Sequence, residues 1–146
     1  MNHCLKWTLV CWLFLASSRV FSGEANWPQW RGPNRTDVSN ESGLLQSWPE
    51  GGPKRVWLYK NAGGGYSGPA VVGDRLYILG TRDDKEVLLA LSAKTGKEAW
   101  VTPLGKILTS NYGNGPRSTP AVDGDRVYAF SSMGTIACIR ATSGQI

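Results

Sequence analysis

Histidine is all but missing from this sequence. The single copy, His3, precedes an uncharged apolar run from Trp7 to Ala16. Beyond that run no imidazole is available. Histidine-based acid–base catalysis, histidine ligation of a metal and a Cys-x-x-Cys-His haem site are therefore excluded from the body of the chain. Cysteine is nearly as scarce: Cys4 and Cys11 lie in the amino-terminal stretch, and Cys138 stands alone. One remaining thiol forms no disulfide within that body, even in an oxidising compartment. Within "TIACIRA", Cys138 reads as a small core hydrophobe, not a nucleophile. Clustered positive charge is lacking too. The net charge of +5 falls to +3 without Lys6 and Arg19, and the rest is spread along the chain. That leaves no nucleic-acid footprint. The longest apolar stretch, Trp7–Ala16, is too short to span a bilayer comfortably.

What the amino terminus does hold is the pattern of a secretory signal. Lys6 supplies a positive flank, the apolar run follows, and "SSRVFSGEA" offers small residues for cleavage after Ser22 or after Ala25. Cys11 does not fit a lipid-modified cysteine, because the apolar "WLFLA" follows it where the mature chain should begin. The expected organisation is a signal peptide over residues 1–22, an amino-terminal extension over 23–53 and a repeat-bearing body over 54–146. The expected location is periplasmic or extracellular, with no membrane span once the signal is removed.

The body repeats itself, and repeats decide fold before local propensity does. "SGPAVVGDRLYIL" (Ser67–Leu79) aligns with "STPAVDGDRVYAF" (Ser118–Phe130) at a constant offset of 51. Pro69, Asp74, Arg75 and Tyr77 meet Pro120, Asp125, Arg126 and Tyr128. "LALSAKTGK" then meets "ACIRATSGQ" at an offset of 48. The difference falls where "GTRDDKE" gives way to "SSMG", a length change confined to a turn. Each copy reads as short strands: "PAVV", "RLYIL" and "EVLLALS", closed by Glu98–Thr102 after a turn at Gly96. "KRVWLYK" (Lys54–Lys60) reads as a further strand, the last of a preceding unit. Runs that are apolar on both faces predict sheets covered on both sides. Four antiparallel strands in a repeat of about 50 residues predict an all-β fold, a β-propeller of four-stranded antiparallel blades. The chain holds about two of them, as blade-like repeats 67–103 and 118–146. In "TGKEAW" Gly96 supplies a positive φ, Thr95 bonds the local backbone, and Trp100 is placed to dock between neighbouring sheets.

"ALSAKTGKEAW" resembles the tryptophan-docking repeat of the PQQ-like, quinoprotein-type β-propellers, whose pattern runs Ala-x-Asp-x-x-Thr-Gly-x-x-x-Trp. Ala90, Thr95, Gly96 and Trp100 fit, while Ser92 stands where the family usually has Asp. The second copy fits through Cys138, Arg140, Ser143 and Gly144, and its tryptophan would fall beyond Ile146. "NWPQWRGPNRTDVS" resembles the opening of secreted bacterial members of the planctomycete type. The resemblance implies a ring of seven or eight blades, so the chain is expected to be the amino-terminal portion of a longer protein. In such a ring, Arg55–Lys60 would seal the last blade.

Function in such a ring is expected where the loops between units converge, at Asn61–Gly68, Thr109–Ser118 and Thr81–Glu86. Tyr66, Asn111, Tyr112, Asn114 and Arg117 are the candidates for a polar ligand. Arg117, with Tyr112 and Asn114, is the set that could hold a cofactor, because a guanidinium fork suits carboxylates, those of PQQ included. The structural alternative is that Gly and Asn permit sharp turns and Arg117 ties down a loop. Asp83, Asp84 and Glu86 lack the spacing of a calcium loop and read as a solvated acidic turn. Gly63–Gly65 lack the Gly-Lys-Ser/Thr of a phosphate loop. "WPQWRGP" could form a sugar-stacking platform through Trp27 and Trp30, although packing on the outside or underside of the propeller is the favoured reading.

Two functions follow. One is a non-enzymatic binding or scaffolding module, taking proteins or a small polar ligand, like the outer-membrane assembly lipoprotein that shares this repeat. The other is a PQQ-dependent dehydrogenase oxidising an alcohol or sugar. It would use PQQ with calcium, a catalytic Asp and often a vicinal Cys pair, none of which can be placed on these residues.

Overall fold

The computed structural model describes residues 26–146. The signal-peptide expectation falls on residues outside these. The described residues form no helix, and none therefore is long and apolar enough to cross a membrane. They form two antiparallel sheets, as expected. The first contains β1 (Ala70–Val72), β2 (Arg75–Arg82), β3 (Lys85–Ser92) and β4 (Glu98–Lys106), ordered β1-β2-β3-β4. The second contains β5 (Ala121–Asp123), β6 (Arg126–Phe130) and β7 (Ile136–Arg140), ordered β5-β6-β7. Matching registers show the repeat in three dimensions: Ala70 pairs with Tyr77 as Ala121 pairs with Tyr128. Each up-and-down strand order follows from tight turns at Gly73-Asp74 and Gly124-Asp125, whose glycines take φ of 55° and 54°.

β4 runs further than its sequence suggests, through Pro103 to Lys106. Proline is tolerated there because β4 is an edge strand, and a register shift at Glu86/Val87 accommodates it. The first sheet is packed on both faces. In β3 every residue from Glu86 to Leu91 is buried, which is what an unbroken apolar run needs. Its face toward the second sheet carries Tyr77, Leu79, Leu88 and Ala90, which meet Val127, Ala129, Ala137 and Ile139 in one cluster.

The second sheet departs from the expectation of two covered faces. β7 alternates, with Ala137 and Ile139 inward, while Ile136 and Cys138 face outward beside Tyr128 and Phe130. Cys138 is exposed and is not a core residue. No sheet lies over this face among the described residues, whereas the equivalent Tyr77, Leu79, Leu88 and Ala90 are covered by the second sheet.

Lys54–Lys60 is also corrected: it is not assigned as a strand. A strand exists only through a ladder, and no partner strand flanks this segment among the described residues. One of its side chains is nevertheless seated. The Trp57 indole donates to the Ala93 carbonyl at 2.8 Å, and a β-carbon at Gly96 would stand 2.6 Å from its ring. Trp100 repeats this on the next turn, donating to the Ala141 carbonyl at 3.0 Å and covering Gly144. Ser92, where the family pattern has Asp, keeps the turn closed. Its hydroxyl accepts from the Thr95 amide at 3.2 Å and donates to Asp74, while the Gly96 amide donates to the Ser92 carbonyl at 2.8 Å.

Candidate functional site

Antiparallel order sends alternate turns to opposite ends of each sheet. The Asn61–Gly68 and Thr109–Ser118 loops, the Asp83-Asp84 turn and the Ser131–Thr135 turn share one end. Gly64 donates its amide to the Thr81 hydroxyl at 2.7 Å, and Tyr66 donates its amide to the Pro116 carbonyl at 2.7 Å. The first long loop is thereby fastened to β2 and, through Tyr66, to the second long loop. Between the Thr109–Ser118 loop and the end of β6 opens a cleft of about 540 Å³, with Leu108, Tyr112, Arg117, Phe130 and Ser132 among its walls.

The structure places two of the three cofactor candidates, Tyr112 and Arg117, on this cleft. Tyr112 is almost fully exposed. The Arg117 guanidinium donates to the Gly113 carbonyl at 2.8 Å and the Gly115 carbonyl at 3.1 Å, and lies 5.5 Å from the centre of the Tyr66 ring. It thus braces its own loop and stacks on the neighbouring one. Asn114 turns back on that loop, its Oδ1 accepting from the Ser110 amide at 3.0 Å. Tyr66 packs against Gly113, where a φ of 103° leaves no room for a side chain beside the ring.

The acidic turn divides in a way the sequence reading did not anticipate. Asp83 and Asp84 form the exposed hairpin turn, both with positive φ. Glu86, grouped with them as solvated, is completely buried. Its carboxylate accepts from the Leu108 amide at 3.2 Å and the Ser132 amide at 2.8 Å, and from the Ser132 hydroxyl. Burying a carboxylate requires such donors, and here they come from the two segments that wall the cleft. Glu86 therefore ties β3 to the inter-sheet loop and to the second sheet. The available signal was its position opening "EVLLALS", a strand apolar on both faces, where any polar residue must be buried. Among the described residues, no group of three or more His, Cys, Asp or Glu is arranged to hold a metal ion.

A second polar cluster fastens the leading segment to the first sheet. Arg82 donates to Glu98 at 3.0 Å, to the Tyr59 hydroxyl at 2.8 Å and to the Asn61 carbonyl at 3.0 Å, while Tyr59 donates to Glu98. The Arg82 hydrogen bond, followed by that of Tyr59, holds the Glu98 carboxyl below its ordinary value of 4.5. Partial burial, with the Glu98 hydrogen bond, pushes Tyr59 above its ordinary 10.0. Glu98 first, then Tyr59, raise Arg82 further into its charged range.

"WPQWRGP" does not pack on the outside or underside. It lies along the inner strands, where Trp27 bridges to Val71 of β1. The reason is that, among the described residues, β1 and β5 have one edge each without a strand, and an extended segment satisfies it.

Compared with known proteins, residues 54–146 match the family model described as outer membrane protein assembly factor BamB, a PQQ-repeat family. No curated protein matches the chain. The matched region contains both sheets and the Trp57 segment, and covers well over half of the chain. With its two repeated antiparallel sheets and its turns at Thr95-Gly96 and Ser143-Gly144 capped by Trp57 and Trp100, this chain belongs to the PQQ-like β-propeller repeat family.

Proposed function

We propose that the protein is a secreted binding or scaffolding propeller, acting in the periplasm or outside the cell, whose loop-face cleft receives a polypeptide partner. The observation that carries this reading is how the polar groups of the cleft are used. Arg117 braces backbone carbonyls, the Ser132 hydroxyl serves Glu86, and the Ser118 hydroxyl donates to the Phe130 carbonyl. What faces the opening is Leu108, the Tyr112 ring and Phe130. Aromatic anchors on a braced frame suit recognition of side chains, with little reorganisation on binding. The description of the matching family, an assembly factor for outer membrane proteins, is of the same kind. The uncovered face of Tyr128, Phe130 and Ile136 is built to take a further sheet of the same repeat, because its equivalents in the first sheet are buried by the second.

The test is a titration of the full-length secreted protein with an unfolded outer-membrane-protein polypeptide, and separately with PQQ plus calcium. Saturable polypeptide binding, weakened about tenfold by Tyr112→Ala as expected for an aromatic anchor, supports the module. Stoichiometric PQQ binding with dye reduction on adding an alcohol or sugar overturns it in favour of a dehydrogenase.

A further inference from the structure

The hub edges of the two sheets are already occupied by the chain itself. β1 and β5 are the first strands of their sheets, they approach each other, and among the described residues each bonds a neighbouring strand on one side only. In a propeller such strands line the central channel. Three successive residues meet both free edges. The Trp27 amide donates to the Val71 carbonyl at 2.7 Å, and the Val71 amide donates to the Trp27 carbonyl at 2.8 Å. The Val122 amide of β5 donates to the Pro28 carbonyl at 2.8 Å. The Gly73 amide, in the turn after β1, donates to Asn26 Oδ1 at 2.9 Å.

The residue types suit this seat. Trp27 sits in a bonded pair and uses both its backbone groups. Pro28 has no N–H, so it can accept from β5 but cannot extend the ladder. The chain then folds back on itself. Trp27 covers Gly32, where a β-carbon would lie 2.8 Å from the ring. Arg31, Arg35 and Asp37 take φ of 67°, 55° and 61°, a region that non-glycine residues enter rarely. Local bonds hold them there: Arg31 Nε to Asp37 Oδ2 at 2.7 Å, the Asp37 amide to the Arg31 carbonyl at 3.1 Å, and Arg35 to Gln29 Oε1 at 3.2 Å. Strained backbone of this kind persists only where its surroundings over-determine it.

We infer that Asn26–Asp37 is a built-in axial segment, folded back on itself, that closes the hub edges of these two blades. Val71 thereby loses the free N–H and C=O, and Val122 the free N–H, that a channel ligand or a competing peptide strand would use. The inference rests on the propeller fold and not on the identity of any partner.

Amide hydrogen exchange tests it, comparing the full-length protein with a version lacking residues 26–37. The Val71 and Val122 amides should exchange at least about tenfold slower in the intact protein, with Leu88 and Ile139 unchanged. A synthetic peptide of residues 26–37 should restore that protection to the shortened protein. Equal exchange at Val71 and Val122 in the two proteins overturns the inference. Should the deletion abolish protection at Leu88 and Ile139, Asn26→Ala in the intact protein decides. Faster exchange confined to Gly73 supports the seat, and no change there overturns it.

Discussion

The indole of Trp100 lies so close over Gly144 that a β-carbon on that glycine would stand 2.7 Å from the ring. The same strand also donates the Thr102 hydroxyl to the Gly144 carbonyl, so the outer strand of one blade clamps the last turn of the next. Trp100→Ala should destabilise the protein by about 3 kcal/mol, the lower end for loss of a buried aromatic, because the ring is only partly buried. Gly144→Ala should destabilise as well, since it clashes with the ring and forces a side chain onto a backbone with φ of 74°. Denaturant melts of both variants in the full-length protein check this, and wild-type stability for Gly144→Ala would refute the clamp.

Trp57 over Gly96 is the same device one blade earlier, seated on a segment with no ladder of its own among the described residues. Trp57→Ala should therefore release Lys54–Lys60 selectively. Limited proteolysis should cut the variant within that segment well before the sheets are attacked.

Glu86 should be the most sensitive carboxylate in the protein. Glu86→Ala leaves the Leu108 and Ser132 amides unpaired, at a cost of about 1–3 kcal/mol for each buried donor. Glu86→Gln keeps one acceptor oxygen and should lose distinctly less. A stability ranking of wild type, Gln, then Ala is expected, and an inverted ranking would remove Glu86 from its tying role.

The Tyr59–Arg82–Glu98 cluster predicts two pH limbs. Glu98 has its folded pKa lowered below 4.5, so its stabilisation is present above about pH 4.5. That contribution fades as pH falls through the lower, folded value. Tyr59 and Tyr77 have theirs raised above 10.0, chiefly by burial. Their contribution is complete below about pH 10 and is lost as pH rises through the raised values. Glu98→Gln should flatten the acid limb in a pH series of thermal melts. The effect should be small, because the ion pair is about one-third exposed.

Arg117→Ala should loosen the Gly113–Gly115 backbone and free the Tyr66 ring, raising exchange across Thr109–Ser118 while leaving the sheets intact. Arg117→Lys should rescue poorly, since an ammonium cannot reproduce a planar fork that bonds two carbonyls and stacks on an aromatic face.

The architecture was largely legible in the chain. The 51-residue offset between Tyr77 and Tyr128 and the glycines of the hairpin turns announce repeated antiparallel sheets, because turn geometry and strand patterning are local properties. The gathering of the Asn61–Gly68 and Thr109–Ser118 loops at one end was legible for the same reason, since antiparallel order fixes the end at which each loop emerges. Strand partners were less so. Lys54–Lys60 has strand composition but no ladder among the described residues, and "TIACIRA" alternates where its earlier counterpart is covered on both sides.

Repeat spacing, the Thr95-Gly96 turn and the Trp100 that follows it are written in residue order, since each depends on neighbours a few positions away. Three things are not. Glu86 is buried only because Leu108 and Ser132, far along the chain, bring donors to it. Arg117 braces a loop because the carbonyls of Gly113 and Gly115 turn toward it. The Asn26–Pro28 segment lies at the hub because two short strands, 51 residues apart, leave their edges side by side. Each depends on which groups meet across sheet and loop, and a buried charge or an unpaired edge takes its meaning from the partner that folding brings to it.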